Sequence, residues 1–232
     1  MKMILPDSTT PLLRYEIAEG ITAFSQIRDA ELPFPITQAH QIHSDRIAII
    51  DRPGLTREDL EGYDALMTDK PGIAIAARTA DCVPVLLYDP AHKAIAAIHS
   101  GWKGTVKKIA ATTIKRMASH YGTAPTDLLA IIGPSIGPDS FQIGQEVAEA
   151  FEAEGFPMDQ ILSDRGPKIP GTMQGGLHID LWKANEWILK EAGIQPGNIL
   201  TAAIDTYQDE RFYSARREGI SCGRIINTIM RR

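Results

Sequence analysis

The sequence predicts an α+β chain: one layered domain of mixed sheets flanked by helices, spanning residues 1–232. Three observations carry this expectation. Ile73–Ala77, Val83–Leu87 and Ala94–Ile98 are continuous apolar runs bounded by turn residues, as in strands covered on both faces. The period then changes after Gly104. Val106, Ile109, Ala110, Thr113, Ile114 and Met117 share one helical face, with Lys107, Lys108, Lys115 and Arg116 mostly elsewhere. Finally, strand-like and helix-like segments are interspersed to the C-terminus, and the length suits one domain.

Taken in order, Leu12–Ile17 and Ile21–Phe24 read as short strands separated by Glu19-Gly20. Arg46–Asp51 reads as a strand, and the polar stretch from Asp51 to Asp64, with Pro53-Gly54, as loop or short helix. Pro71-Gly72 precedes the first apolar run, and Asp89-Pro90-Ala91-His92 turns the second into the third. Leu128–Ile132 is a strand entering Gly133-Pro134-Ser135-Ile136-Gly137-Pro138. Val147, Ala148 and Phe151 suggest a second helix, and Phe156 to Gly176, rich in Gly and Pro, a long loop. Leu181, Ala184, Ile188 and Ala192 fit a third helix with Asp180 as N-cap. Leu200–Ile204 and Arg224–Ile229 are the last strands.

Composition narrows the function classes. An apolar content of 44% supports a sizeable core, and 23% charged residues does not suggest disorder. The net charge of −5 argues against a nucleic-acid partner, which needs a basic surface, though local donors can still hold one phosphate. No run approaches the roughly 20 apolar residues of a membrane span. The apolar stretch within Met1–Asp7 is too short for a signal-peptide core. A cytoplasmic protein without a membrane partner is expected, and without a coiled coil or interface stripe, a monomer. Of the two cysteines, both expected to stay reduced, one reads as functional and Cys222 as incidental.

The functional thiol is Cys82, in Arg78-Thr79-Ala80-Asp81-Cys82-Val83-Pro84. His99 follows in His99-Ser100-Gly101-Trp102-Lys103-Gly104, and His43 precedes in Gln41-Ile42-His43-Ser44-Asp45. One thiolate and two imidazoles suit zinc with one coordination position left open. The separations, 39 and 17 residues, are not those of zinc fingers, so the case rests on donor chemistry. The thiolate lowers the cation's net charge and neutral imidazoles complete a rigid triad. His40 competes with His43, and the residues alone leave both open. His92 and His120 read as surface residues, and His178 as a helix-entry residue.

These segments resemble the laccase-domain family, also called the polyphenol oxidase or purine nucleoside phosphorylase family. The resemblance runs through Gln41-Ile42-His43, Asp64-Ala65-Leu66-Met67-Thr68, Thr79-Ala80-Asp81-Cys82, His99-Ser100-Gly101-Trp102-Lys103-Gly104, His178-Ile179-Asp180 and Arg211 to Arg217. It implies a fold similar to the catalytic domain of the cytotoxic necrotizing factor deamidases. It implies His43, Cys82 and His99 as metal ligands, favouring His43 over His40. It implies zinc, and phosphorolysis of adenosine, inosine, guanosine and methylthioadenosine alongside adenosine deamination. The family's usual N-terminal Thr-Arg-x-Gly-Gly segment is absent, and Ile21 to Ile36 is shorter, which alters one pocket wall. Asp139, Ser140 and Asp205 stand where the family often has cysteines.

With purine nucleoside and phosphate as substrates, further residues acquire candidate roles. Asp81 would shuttle protons or orient a histidine. Arg78, Lys103 and the amides after Gly101 would hold phosphate, and Trp102 would stack on the purine. Arg216 and Arg217 read as a solvated face. A metal-free alternative makes Cys82 a hydrolase nucleophile with His99 as its base. Copper could be captured by the same soft donors, but a multicopper phenol oxidase needs many imidazoles, and the six histidines form no His-x-His pair. A purely structural zinc would require a fourth protein ligand.

Overall fold

The computed structural model describes residues 1–6, 11–169 and 171–232. Two six-stranded mixed sheets dominate. The first has the order Lys2–Ile4, Leu12–Glu16, Ile21–Gln26, Ile225–Arg231, Ala74–Thr79, Thr37–Gln38. Its neighbours are antiparallel except the last pair. The second runs Ile199–Thr201, Leu129–Ile132, Val83–Asp89, Ala94–Ser100, Ala65–Thr68, Ile47–Ile49, with a parallel pair at each edge. A small third sheet joins Gln142–Ile143, Leu177–Ile179 and Leu162–Asp164.

The apolar runs of the second sheet are central because both of their faces are covered. Every residue of Val83–Asp89 and Ala94–Ser100 is buried. Alternation along each strand divides them between two cores, as the two-residue strand period requires. Val83, Val85, Leu87, Ala96 and Ile98 pack with Ile114, Met117 and Ile188 of the helices. Leu86, Tyr88, Ile95 and Ala97 pack with Leu13, Ile75 and Ile229 of the first sheet. The order of layers is therefore sheet, sheet, helices.

The helical face after Gly104 is realised as two helices, Trp102–Val106 and Ile109–Tyr121. Lys108 breaks them apart in the left-handed conformation, φ 54°. The apolar period survives because the break changes direction without moving Ile109, Ala110, Ile114 and Met117 off the core. Gln145–Ala153 and Leu181–Glu191 are the second and third expected helices. Asp180 caps the latter by accepting from the Lys183 amide at 3.0 Å.

The expectation of a long loop over Phe156 to Gly176 is corrected. The chain forms a helical turn at Met158–Ile161 and a strand at Leu162–Asp164, with Phe156 and Ile161 buried. Too few apolar residues separate its Gly and Pro for a period to be read. Pro170, within that segment, lies outside the described residues, as does Asp7 of the N-terminal stretch. Among the described residues no helix is long and apolar enough to cross a membrane.

Strand pairing brings distant residues to one end of the second sheet. Val83 faces Ser100 and Pro84 faces His99, so Cys82 and His99 lie at the same end of their hairpin. Ala65 faces Ile98, which brings Asp64 beside His99, and Ile47 pairs with Ala65, which carries the preceding His43 loop there as well.

Candidate metal centre and active site

At that end, the ligand atoms of His43, Cys82 and His99 all lie within 4.8 Å of one another. Cys82 Sγ is 3.8 Å from His43 Nε2, and the two imidazole rings meet edge-on with centroids 4.8 Å apart. Zinc bonded to sulfur and nitrogen at about 2.3 and 2.0 Å in a tetrahedron sets those donors roughly 3.5 Å apart. The donor set and its spacing therefore fit such an ion. Gly101 makes the approach feasible: a Cβ there would lie 2.8 Å from Cys82 Sγ and 3.1 Å from His43 Cδ2. His40 is not part of the cluster; its Nδ1 pairs with Glu61 Oε2 at 2.5 Å.

Asp64 holds two of the three candidate ligands. Its Oδ1 lies 2.7 Å from His99 Nδ1, which turns Nε2 toward the cluster. The same carboxylate accepts the backbone N–H groups of Ile42, His43 and Ser44 at 3.2, 3.0 and 2.7 Å, and the Ser44 hydroxyl at 2.7 Å. These bonds hold His43 at φ 63°, a left-handed conformation that a non-glycine residue rarely adopts. Burial opposes ionisation of the Asp64 side chain, but its donors, His99 first and then Ser44, outweigh that and hold its pKa at about 2.

Burial likewise opposes charge on both Cys82 and His99, yet each favours the other's charged form. The His99 imidazolium and the hydrogen bond from His43 pull the thiol below its ordinary value, and the thiolate with Asp64 lifts His99 above its own. A divalent cation would take over the imidazolium's role, displacing its proton while Asp64 kept the Nδ1 proton in place.

The cluster opens into a cavity of about 590 Å³. Arg78 and Gln41 contribute one side, the segment from Ile220 to Arg224 another, and Arg57 and His40 also line it. The Gln41 amide clamps the Arg78 backbone, its Oε1 accepting from Arg78 N and its Nε2 donating to Arg78 O, both at 2.8 Å. Cys222, read from sequence as incidental, also lines the cavity. Another concavity, of about 470 Å³ beside Arg14 and Glu16, has no histidine or cysteine in its lining.

The remaining candidates lie elsewhere. Asp81, at φ 85°, directs its carboxylate to the C-terminal part of the chain: Oδ1 accepts from Thr206 Oγ1 and Oδ2 from Arg216 N, both at 2.7 Å. Trp102 packs against the helix-side core with Lys103 Nζ 5.6 Å from its ring centroid, and neither lines the cavity. Arg216 is exposed, as a solvated face requires, whereas Arg217 is half-buried. They donate to the carbonyls of Gln142 and of Thr206, respectively. His178 is buried between the carbonyls of Gly176 and Met173. Asp205 accepts from Ser140 Oγ at 2.6 Å.

Sequence reasoning missed Asp64 and Arg57. Asp64 carried a usable signal, an acidic residue leading directly into the apolar Ala65-Leu66-Met67; Arg57, in a polar loop, carried none.

Residues 19–232 match the family model described as multi-copper polyphenol oxidoreductase laccase. A protein of Bacteroides thetaiotaomicron named purine nucleoside phosphorylase is 47% identical over 175 residues, covering 75% of this chain. The chain spans 63% of that relative's length. A protein named adenosine deaminase RL5, from an unknown prokaryotic organism, is 37% identical over 85% of this chain and 75% of its own. Among solved structures, the hypothetical protein YfiH of Bacillus licheniformis superposes with a TM-score of 0.83 at 26% identity, covering 96% of this chain and 97% of that one.

Proposed function

The chain belongs to the polyphenol oxidoreductase laccase family, and on that premise we propose that it is a zinc-dependent purine nucleoside enzyme. Its reactions are phosphorolysis of adenosine, inosine, guanosine or methylthioadenosine, and deamination of adenosine. The observation that carries this reading is the convergence of His43, Cys82 and His99, backed by Asp64, at the base of a cavity large enough for a small ligand. The relatives named for these two activities support the choice of substrate.

His43 Nε2, Cys82 Sγ and His99 Nε2 would hold the ion, which would supply Lewis-acid chemistry when bound. In phosphorolysis a phosphate oxygen bonds to C1′ as the C1′–N9 bond breaks; the bonding pair leaves with the purine, which takes up a proton. In deamination water adds at C6 and ammonia departs. Arg78 binds the anionic partner. Asp64 keeps His99 in one tautomer. Asp81 is assigned a positioning role, because both of its oxygens are engaged by Thr206 and Arg216. Trp102 and Lys103 are assigned no substrate contact.

The closeness of Cys82 to His99, with the thiol pulled down and the imidazole pushed up, favours one competing reading, a metal-free cysteine hydrolase. One experiment separates them. Metal content is measured for the wild type and Cys82→Ala, and adenosine turnover is followed with and without phosphate. The zinc reading expects about one ion per chain in the wild type, little in the variant, and activity lost with the ion. Adenine formed only with phosphate identifies phosphorolysis; inosine formed without it identifies deamination. Full zinc in an inactive Cys82→Ala protein overturns the zinc role, and no turnover of any purine nucleoside by metal-loaded wild type overturns the substrate.

A further inference from the structure

The charge of the cavity is opposite to that of the chain. The protein carries a net charge of −5, yet the cavity lining contains three arginines, Arg57, Arg78 and Arg224, and no aspartate or glutamate. Acidic side chains are common enough elsewhere to pair with other arginines: Glu218 engages Arg28, Asp139 engages Arg165 and Asp209 engages Arg211. Among the described residues none of the three cavity arginines has a carboxylate within ion-pair distance.

Arg78 is the most constrained of the three. Its residue is half-buried at the end of Ala74–Thr79, and Gln41 fixes its backbone from both sides. No side-chain hydrogen bond satisfies its guanidinium among the described residues. Burial first, and then the charges of Arg57 and Arg224, push the Arg78 guanidinium below its ordinary value. A half-buried cation that faces two like charges and no anion is unfavourable in the absence of a ligand. Arg224 is anchored differently. It donates to the carbonyls of Ile220, Cys222 and Gly223, and so braces the cavity wall while adding its charge to it. Arg57 is exposed and closes the group from the loop side.

We infer that Arg57, Arg78 and Arg224 form a subsite for a tetrahedral oxyanion of the phosphate class, beside the His43, Cys82 and His99 cluster in the same cavity. Guanidinium forks match phosphate oxygens in geometry as well as charge. The inference rests on the reading of this cavity as the nucleoside site, and it places the anion on arginines rather than on Lys103 or the amides after Gly101. The phosphate has two possible sources, the free inorganic co-substrate or an ester carried by the nucleoside, and the chemistry recognised is the same.

The test is calorimetric titration of metal-loaded protein with inorganic phosphate at fixed ionic strength, without nucleoside. The wild type is expected to bind one phosphate. Arg78→Gln is expected to weaken binding by about tenfold or more, and Arg57→Gln by roughly threefold, since an exposed charge contributes less. Arg14→Gln, in the other concavity, is the control expected to match the wild type. Arg224 is tested as Arg224→Lys, which keeps the charge but loses the bonds to the wall; in a variant that unfolds at the wild-type temperature, phosphate binding is expected to stay within about threefold of the wild type. Metal content and thermal unfolding report whether each variant is intact.

If phosphate is the co-substrate, its binding persists with saturating adenosine. If it is an ester, adenosine 5′-monophosphate outbinds adenosine by the factor that Arg78→Gln removes, and inorganic phosphate competes with it. Either outcome supports the subsite. It is overturned if intact Arg78→Gln and Arg57→Gln proteins bind phosphate as the wild type does, or if the wild type binds none. Phosphate binding that depends on these arginines, without turnover of any purine nucleoside, would uphold the subsite and reject the nucleoside reading. Phosphorolysis with a KM for phosphate unchanged in both variants would do the reverse.

Discussion

Asp64 and Asp81 are both buried, one directly before and the other two residues before a strand of the second sheet, and both accept hydrogen bonds from backbone and side chain. Asp81 is the direct sequence neighbour of Cys82, whereas Asp64 lies 18 or more residues along the chain from all three candidate ligands. Their roles run opposite to that proximity. Asp64 touches His99 and the backbone of His43; Asp81 turns toward Thr206 and Arg216 and ties the C-terminal segment down. Asp81 stands at φ 85°, outside the extended region, in the bend that precedes the strand, and its carboxylate is spent on Thr206 and Arg216. Strand pairing supplies the assisting group instead.

The largest expected effect breaks this contrast if it fails. Asp64→Asn should weaken metal binding by roughly 10–100-fold in a chelator competition assay, the usual cost of losing a partner behind a ligating histidine. Asp81→Asn should leave metal affinity nearly unchanged but lower stability by about 2 kcal/mol, since it weakens two charge-assisted bonds. In a chain of this size that is a fall of about 4–8 °C in Tm by calorimetry. Equal metal loss in the two variants would abolish the distinction.

A smaller effect isolates geometry from charge. Gly101→Ala places a methyl carbon against Cys82 Sγ and His43 Cδ2, and should lower metal affinity about tenfold while far-ultraviolet circular dichroism stays native. The smallest sharpens the picture of Asp64. Ser44→Ala removes its one hydroxyl donor but leaves three backbone donors and His99. It should cost about 1 kcal/mol in denaturant unfolding and change metal affinity by less than about threefold.

Much of the fold was legible because burial on both faces writes itself into a strand as a continuous apolar run. Val83–Asp89 and Ala94–Ser100 lie where Val83–Leu87 and Ala94–Ile98 were read, extended by polar ends that still pair. Short edge strands left no such mark: Thr37–Gln38 is two residues long and Gln142–Ile143 is equally brief. At the site, Cys82 and His99 stood out because their strands ended in turn residues, while the residues alone could not separate His43 from His40. That choice is made in space, by Asp64 gathering the amides on either side of His43 and by Glu61 taking His40. Arg57 was invisible for the same reason: a loop residue gains its neighbours only when the chain closes.

The clamp of Gln41 on Arg78 has a mechanical consequence. Arg78 belongs to the first sheet, and the loop carrying Gln41 also carries His43 to the second. One amide thereby extends the pairing of Thr37–Gln38 with Ala74–Thr79 and ties the loop that bears His43 to the wall that bears Arg78. The imidazole of His43 and the guanidinium of Arg78 are thus carried on backbone joined by a single side chain, two residues from the one and bonded to the other.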